Sequence, residues 1–432
     1  MNSNTWSGIS AYKYLIKSMN NKQETISNFI CPVCGNTDVH SIGYLNGKPY
    51  CRRCISFKGE EVEHKPSYPK KAPIHLLYEL SPEQKELSDK LVENYKKGID
   101  SLVFAVCGSG KTEISLAVIQ YALNCGEKVA FAVPRKDVVI ELANRLKEIF
   151  TKNSVIAVYG GHHKQTEGDL IVLTTHQLFR YKKYFALIVL DEIDAFPFKN
   201  NETLKNIFLN SLDGHYIMMS ATPSDDVVQL FKQDKKDILY LDIRFHRHPL
   251  PVPFFAINRS VTRYFKLLSY LKNYLKAGKQ VFVFAPTIEK CEKLYLFVSL
   301  FCKGGNYVHS KRRNRSGIIN LFRSKKYKYL VTTSVLERGV TVKDLQAIIF
   351  DSDHKIYDKG TLIQIAGRVG RKKDAPEGEV IFIARRKTIA MEEARNSIIK
   401  SNKALQNMLW RDKRGLSAWF NLQKQPFMWV MF

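Results

Sequence analysis

Length, composition and charge limit the classes of protein to which this chain can belong. Its 432 residues are enough for about two or three domains, and a hydrophobic content of 45% allows packed cores, which excludes a mainly disordered chain. Lysine and arginine total 67 against 41 acidic residues, which gives a net charge of +26. Such an excess favours nucleic acid as a partner, with an anionic membrane surface second, although a generally basic proteome would give the same balance.

No secretion signal or membrane span is visible in the sequence. Charged residues interrupt the first 30 positions, and no run of about 18 apolar residues occurs. We therefore expect a cytoplasmic protein without a transmembrane segment, which could still be peripheral at the inner face of the cell membrane.

The chain divides into three zones. Residues 1–74 are polar, contain a four-cysteine module at about 28–57, and end in a stretch rich in Pro and Lys that predicts a linker. Short apolar runs alternate with helical patterns from 75 to 245 and again from 246 to 432, where the chain ends in a predicted helical tail. This alternation predicts an α/β fold with two tandem parallel sheets, each covered by helices on both faces.

Apolar runs of strand length define the two series. The first series is Leu102–Val106, Val129–Val133, Ile171–Thr174, Ala186–Leu190 and Tyr216–Met219. The second series is Val281–Ala285, Tyr329–Thr332, Ala347–Asp351 and Glu379–Ala384.

A phosphate-binding loop is predicted at Ala105–Thr112, because this segment follows an apolar strand and opens a helix. Gly108 and Gly110 allow the backbone to aim its N–H groups at a phosphate, and the start of the helix adds a positive dipole end. Lys111 would reach the β- and γ-phosphates of ATP, and Thr112 would hold Mg²⁺. A chance glycine-rich turn is the alternative.

A second part of the site is predicted where the apolar strand Ile188–Leu190 ends in acidic residues. Asp191 would hold Mg²⁺, and Glu192 would orient and activate the attacking water. Gln84, at the start of the helix before the phosphate loop, could bind adenine through its amide. Solvated acids and an exposed helical glutamine are the alternatives when each pattern is taken alone.

With these residues in place, the chain resembles helicase superfamily two over residues 80–385. Three further segments carry the resemblance: Ser220–Thr222, Thr332–Val340 and Gln364–Arg371. The resemblance implies two RecA-like lobes with ATP bound between them. The predicted ATP and magnesium site is Gln84, Gly108, Ser109, Gly110, Lys111, Thr112, Asp191, Glu192 and Gly339. The residues expected to couple hydrolysis to movement are Ser220, Ala221, Thr222 and Gln364.

Two arginines are predicted to complete catalysis, together with Lys111 and Glu192. Arg368 and Arg371 lie three positions apart, so on a helix they would share one face. Guanidinium groups suit the charge that develops on a transferred phosphoryl group, because they are always cationic and fork-shaped. A solvated basic helix is the alternative.

A closer resemblance is to the ComFA family of late-competence DNA-uptake ATPases. It rests on the cysteine module before the first lobe, the acidic segment Asp191–Phe198 and the inter-lobe segment Arg244–Pro253. It implies an ATPase stimulated by single-stranded DNA that helps to pull transforming DNA through a membrane channel, with other competence proteins as partners. A primosomal replication-restart or repair helicase that unwinds duplex is the alternative, although the zinc cysteines of the restart helicases lie within the second lobe.

The cysteine module has the spacing of a zinc ribbon. Two Cys-x-x-Cys pairs, Cys31 with Cys34 and Cys51 with Cys54, are separated by 16 residues. Four thiolates form a closed tetrahedral site, so a structural role for Zn²⁺ is expected. A pair of disulfides is the alternative, which a reducing cytosol disfavours.

Basic residues that could contact nucleic acid cluster in three places. These are Lys311–Arg315 without Asn314, then Lys325, Lys326 and Lys328, and finally Arg52 and Arg53 in the cysteine module. Solvated surface charge is the alternative for any one of them. A DNA-binding adaptor with a decayed ATPase fold is the competing interpretation of the whole chain, and the complete set of catalytic residue types argues against it.

Overall fold

The structure is a computed structural model. It describes residues 29–411 apart from 47, 56–59, 66–67, 77–78, 163–164, 195–200, 223–224, 235, 259–260 and 335–341. The chain separates into two compact units. The first extends to Ala105 and resumes over Gly110–Leu241, and the second comprises Val106–Ser109 and the chain from Asp242 onward.

The first unit and the cysteine module contain nine strands and five α-helices within their described residues. In chain order they are β1 (Ile42–Leu45), β2 (Lys48–Cys51), α1 (Pro82–Lys96), β3 (Ser101–Ala105), α2 (Lys111–Asn124), β4 (Val129–Val133), α3 (Lys136–Ile149), β5 (Val155–Val158), β6 (Leu170–Thr174), β7 (Phe185–Asp191), α4 (Glu202–Ser211), β8 (Leu212–Ser220), α5 (Asp225–Gln233) and β9 (Asp237–Leu241). Short 3₁₀ helices occur at Val39–Ser41 and Thr175–Arg180.

The second unit contains six strands and five helices within its described residues. They are β10 (Phe254–Ile257), α6 (Thr262–Lys276), β11 (Gln280–Phe284), α7 (Ile288–Phe301), β12 (Gly305–Val308), α8 (Arg315–Arg323), β13 (Tyr329–Thr332), β14 (Leu345–Phe350), α9 (Lys359–Ala366), β15 (Val380–Ala384) and α10 (Ile389–Arg411).

Each unit is built on one parallel sheet, as the alternating pattern predicts. In the first unit the strand order is β5-β6-β4-β7-β8-β3-β9, and every pairing is parallel. In the second it is β10-β15-β14-β11-β13-β12, again with parallel pairings. Parallel strands place their carboxyl ends at one edge of the sheet, where α/β proteins bind ligands.

The sheets are buried on both faces, which explains their continuous apolar sequences. All five residues of β4, β6, β11 and β15 are buried. Two apolar clusters flank the first sheet and two flank the second. The fold is therefore two RecA-like α/β units, and the predicted fold class is confirmed.

Side-chain caps begin several helices. Ser81, Asn201, Thr287 and Asp358 each accept a hydrogen bond from a backbone N–H in the first turn of the helix that follows. Such caps satisfy donors that the helix itself leaves unpaired. None of the described helices combines the length and the apolar character that crossing a membrane requires.

The four-cysteine module packs against the first unit. Its hairpin pairs β1 with β2 antiparallel, so that Ile42 lies opposite Cys51. The module's cysteines belong to the same apolar cluster as one face of the first sheet, and Phe29 and Val33 pack on that cluster. Asn210 of α4 donates a hydrogen bond from Nδ2 to the carbonyl oxygen of Val33 at 2.9 Å.

Residues 60–65 and 68–74, which include the described part of the predicted linker Lys65–Pro73, contact the first unit. The N–H of Val62 donates to the carbonyl oxygen of Arg180 at 2.7 Å. The N–H of Ala72 donates to Oδ1 of Asn124 at 2.8 Å, and Ala72 is buried. The described residues on both sides of residues 66–67 therefore make specific contacts with the first unit.

Candidate functional site

The phosphate loop follows β3 and ends where α2 begins. Gly108 and Gly110 have φ values of 84° and 87°, a left-handed conformation that glycine adopts without steric cost. Gly110 is the N-cap of α2 and contributes no side-chain cap. The amino-terminal end of α2 thus suits an anion, because its first N–H groups and its dipole both favour negative charge.

The strand order explains how the rest of the predicted site comes together in the first unit. β8 lies between β3 and β7, so the carboxyl ends of these three strands are neighbours. The phosphate loop follows β3, Asp191 ends β7 and Ser220 ends β8. Nζ of Lys111 lies 3.0 Å from Oδ1 of Asp191. The structure therefore brings Lys111 and Asp191, 80 positions apart in the sequence, into one ion pair.

The electrostatics of this pair suit a site for Mg²⁺ and phosphate. Burial raises the pKa of Asp191, while the charge of Lys111 opposes that shift and Glu192 adds to it. A partly buried carboxylate beside a second acid favours a cation, and a lysine at a helix start favours phosphate oxygens. The residues present therefore fit magnesium-bound ATP.

Glu192 has a strained backbone. Its φ is 60°, in the left-handed region that glutamate rarely adopts. Its N–H donates to the carbonyl oxygen of Met219 at 3.0 Å and to Oδ1 of Asp191 at 2.8 Å, which hold the conformation. Strain of this kind persists where surrounding contacts fix it, and it concentrates at functional sites.

Asp194 joins the acidic segment to the predicted coupling residues, and sequence reasoning gave it no role. Oγ of Ser220 donates to its Oδ1 at 2.6 Å, and Oγ1 of Thr222 donates to its Oδ2 at 3.0 Å. The N–H of Thr222 also donates to Oγ of Ser220 at 2.9 Å, around Ala221. The sequence did contain a signal for it, because Asp194 is the third acid of the segment Asp191–Asp194. The predicted roles in magnesium and water binding used only the first two acids.

Gln84 lies against the phosphate loop. Its Oε1 accepts from the N–H of Ser81 at 2.9 Å, and its own N–H donates to Oγ of Ser81 at 3.3 Å, which forms a capping box. Its amide nitrogen occupies the place where a Cβ on Gly110 would stand. Gln84 is thus a buried residue beside the loop, and its contact with adenine stays a prediction.

The prediction that Arg368 and Arg371 lie on one helix is wrong. Helix α9 ends at Ala366, so Arg368 and Arg371 do not share a helical face. The residues from Gly367 to Gly370 form a turn, and Gly370 has a φ of 63°. Gly367 is the C-cap of α9, and the path between the two arginines is a turn.

The remaining predicted residues of the second unit are only partly described. Gln364 is buried on α9, and Arg368 is 7% exposed. Gly339 and the neighbouring residues 335–341 lie outside the described part of the chain.

The cysteine cluster fits a zinc ion. The sulfur atoms of Cys31, Cys34, Cys51 and Cys54 all lie within 4.8 Å of one another, and all four residues are buried free thiols. The Cys31–Cys54 and Cys34–Cys51 sulfurs are 3.8 Å apart. A tetrahedron with Zn–S bonds of about 2.3 Å has edges of about 3.8 Å, whereas a disulfide bond is about 2.05 Å.

The pKa values of the thiols are shifted by their contacts with one another. Hydrogen bonds from Cys34 and Cys54 lower the pKa of Cys31 to about 2. The hydrogen bond with Cys31 raises the pKa of Cys34 to about 12, and the same sulfurs raise the pKa of Cys54. Thiols that shift one another's pKa in opposite directions suit a shared divalent metal, which favours the thiolate form of all four.

The predicted basic clusters are on the surface, but some of their residues have partners within the protein. Arg53 pairs with Asp38 at 2.7 Å, and the guanidinium of Arg312 lies 3.6 Å from the ring centroid of Tyr307. Arg52 is exposed, as are Lys311, Arg313, Lys325, Lys326 and Lys328.

Comparison with known sequences identifies the class to which this fold and site belong. The profile described as type III restriction enzyme, res subunit, matches residues 77–225. The profile described as helicase conserved C-terminal domain matches residues 266–373. The chain is an ATP-hydrolysing enzyme of helicase superfamily two.

Two relatives are similar over nearly their whole length. Competence protein ComFA of Bacillus subtilis (strain 168) is 34% identical over 397 residues, which cover 86% of this chain and 85% of that protein. Competence protein ComFA of Streptococcus pneumoniae (strain ATCC BAA-255 / R6) is 30% identical over 390 residues, which cover 86% of this chain and 90% of that protein. The chain belongs to the ComFA family of competence proteins.

Solved structures agree on the fold. The structure of S. cerevisiae Dbp5 bound to RNA and ADP BeF3 matches with a TM-score of 0.56, covering 75% of this chain and 92% of that one. At 17% identity, this similarity shows the fold alone.

Proposed function

We propose that the protein is an ATP-dependent translocase that moves along single-stranded DNA and drives its import during natural transformation. The observation that carries the proposal is the ion pair of Lys111 with Asp191, beside the strained Glu192, in a chain of the ComFA family. These groups supply what phosphoryl transfer requires, and the family supplies the setting.

Each of these side chains has a separate task in the proposed hydrolysis. Lys111 would contact the β- and γ-phosphate oxygens, and Asp191 and Thr112 would hold the magnesium ion. When bound, Mg²⁺ neutralises part of the phosphate charge. Glu192 orients the attacking water and accepts its proton, while Arg368 and Arg371 stabilise the charge on the transferred phosphoryl group.

Coupling of hydrolysis to movement is assigned to the Asp194 network. Asp194 holds the hydroxyl groups of both Ser220 and Thr222, so a shift of the acidic segment is transmitted to the end of β8. Gln364 of the second unit is proposed to act with these residues. Repeated cycles would let the two RecA-like units hold DNA alternately.

The exposed basic residues and the cysteine module support a polyanionic ligand. A net charge of +26 favours binding that weakens steeply as salt rises. We propose a location in the cytoplasm, peripheral to the inner face of the membrane, with a DNA channel and other competence proteins as partners. Zinc in the cysteine module would stabilise a surface that contacts DNA or one of those proteins.

Phosphate release with and without single-stranded DNA, duplex DNA and RNA tests the proposal. We expect the largest stimulation by single-stranded DNA, and Lys111→Ala should lower turnover by at least about 100-fold while DNA binding is kept. Lys128→Ala is a matched control, because Lys128 is similarly enclosed but pairs with Asp169 away from the loop. Retained hydrolysis in Lys111→Ala would refute the assignment of the site.

A strand-displacement assay separates the proposal from the alternative of a duplex-unwinding helicase. A translocase for single strands should hydrolyse ATP on them without separating a blunt duplex. ATP-dependent unwinding of a duplex, with equal stimulation by duplex DNA, would favour the repair or restart function instead.

A further inference from the structure

Arg244 is a buried arginine to which the proposed chemistry gives no role. It lies in the segment after β9 and is 2% exposed, which makes it one of the largest fully buried side chains in the described chain. Burying a guanidinium is costly unless its N–H groups are hydrogen-bonded, so the acceptors of those hydrogen bonds indicate its structural role.

Those partners are backbone carbonyl oxygens at the turn that contains the two predicted catalytic arginines. Nη1 donates to the carbonyl of Gly370 at 2.8 Å, and Nη2 donates to the carbonyls of Gly367 and Val369, each at 3.0 Å. Nε donates to the carbonyl of Cys107 at 3.2 Å, which belongs to the same unit.

The turn leaves acceptors that the helix cannot satisfy. Helix α9 ends at Ala366, and the carbonyls that follow a helix end lack partners within the helix. They also lie at the negative end of the helix dipole, which attracts a cation. Arg244 therefore satisfies the carbonyls of the turn that follows α9 from a distant part of the chain, while N–H groups of that turn satisfy the last carbonyls of the helix.

The turn is fixed from its other side as well. The side chain of Val369 is fully buried in the core of the second unit. Gly370 has a φ of 63°, and a Cβ at this position would overlap the carbonyl oxygen of Pro376. With Arg244 holding the carbonyls, the backbone between Arg368 and Arg371 has little freedom.

The chemistry of the contact specifies arginine. A guanidinium carries five N–H donors in a planar fork, and Arg244 uses three of its nitrogens on four carbonyls. A lysine ammonium is a point charge with three donors and could satisfy only part of this set. Burial lowers the pKa of Arg244 to about 10, so it stays a cation at neutral pH.

We infer that Arg244 is a positioning residue for catalysis, which sets the directions of Arg368 and Arg371 by fixing the turn between them. This inference rests on the proposed function, because it requires that these two arginines act in hydrolysis. The effect of Arg244 passes through the backbone of the turn and not through contact with a reacting atom.

Substitution of Arg244 should reduce the rate of hydrolysis without reducing nucleotide affinity. In Arg244→Lys and Arg244→Met we expect kcat to fall by about 10- to 100-fold, because small misplacements of catalytic groups have effects of this size. The dissociation constant of a fluorescent ATP analogue should change less than about twofold in the same variants. If Arg244→Met fails to fold, the charged variant Arg244→Lys carries the test.

Arg263→Met is the matched control. Arg263 is a second buried arginine of the same unit, but it pairs with Asp351, which follows β14, at 2.9 Å. Its substitution should lower the thermal midpoint while kcat of the folded protein is kept. An equal loss of kcat in both variants would show a general structural effect and overturn the inference.

A double-mutant cycle with Arg371→Ala gives the decisive readout. If Arg244 acts through the turn, adding Arg244→Lys to Arg371→Ala should lower single-turnover phosphate release by much less than it does alone. Independent, multiplying losses in cycles with both Arg371→Ala and Arg368→Ala would overturn the inference. If Arg371→Ala alone keeps full turnover, the proposed role of the arginines fails and this inference with it. If Arg371→Ala is inactive and Arg244→Lys is fully active, the positioning role alone fails.

Discussion

Removal of zinc should destabilise the first RecA-like unit as well as the small cysteine module. A module of this size has too little core to fold alone, so loss of the metal is expected to unfold it. The unfolded module would then release Val33 from Asn210 and withdraw Phe29 and Val33 from the apolar cluster of the first unit.

The size of the effect follows from these contacts. One hydrogen bond contributes about 1 kcal/mol, and partial exposure of the two apolar side chains adds roughly 1–2 kcal/mol. For a unit of this size, each kcal/mol shifts the thermal midpoint by about 2–4 °C. We therefore expect the midpoint of the first unit to fall by about 5–10 °C when zinc is removed.

Thermal unfolding before and after chelation, with zinc measured by elemental analysis, is the assay. The untreated protein should carry one zinc per chain. Cys34→Ser should reproduce the effect of chelation, and Asn210→Ala should lower the midpoint while zinc is kept. Cys125→Ser is the control, because Cys125 is an exposed thiol outside the cluster. A metal-free protein with an unchanged midpoint would refute the reasoning.

Three other predictions concern single residues. Asp194→Ala removes the acceptor of two hydroxyl groups, so stimulation by single-stranded DNA should fall by roughly tenfold while ATP binding is kept, as phosphate release and nucleotide titration will show. Gly110→Ala should weaken ATP binding by at least about tenfold, because the residue has a φ of 87° and no space for a Cβ. Gly278→Ala, at a φ of 71° with open space around it, should bind normally, and equal losses in both would contradict the reasoning. Burial, with smaller effects of neighbouring charges, lowers the pKa of His246 from 6.5 to about 4. Between these two pKa values the unfolded imidazole binds a proton that the folded one does not. The free energy of unfolding should therefore fall by up to about 1.4 kcal/mol per pH unit as the pH is lowered from 6.5 to about 4. His246→Gln should reduce this pH dependence in thermal unfolding. An unchanged pH dependence would contradict the assignment of the effect to His246.

Local patterns in the sequence predicted most of the sheet architecture. Strands Val129–Val133 and Tyr329–Thr332 have the predicted bounds, and most of the other predicted strands differ by only one or two residues at an end. A buried parallel strand is a short apolar run between turn residues, so the sequence records it directly. The phosphate loop is likewise local, because its glycines, lysine and helix start are consecutive.

Features that depend on distant partners could not be predicted in this way. The end of α9 at Ala366 is one such feature, because the spacing of the two arginines is equally compatible with a longer helix. The contacts of Arg244 with residues more than 120 positions away are another. Asp194 was visible in the acidic segment, but its partners Ser220 and Thr222 lie at and just after the end of the neighbouring strand β8.

The attachment of the cysteine module also has a consequence for synthesis on the ribosome. Val33 and its partner Asn210 are separated by 177 positions, so the module emerges long before the helix on which it docks. At about 5–20 residues per second, that interval is roughly 10–35 s. With zinc bound as proposed, the module would fold before that helix is made and would present its docking surface to the rest of the unit.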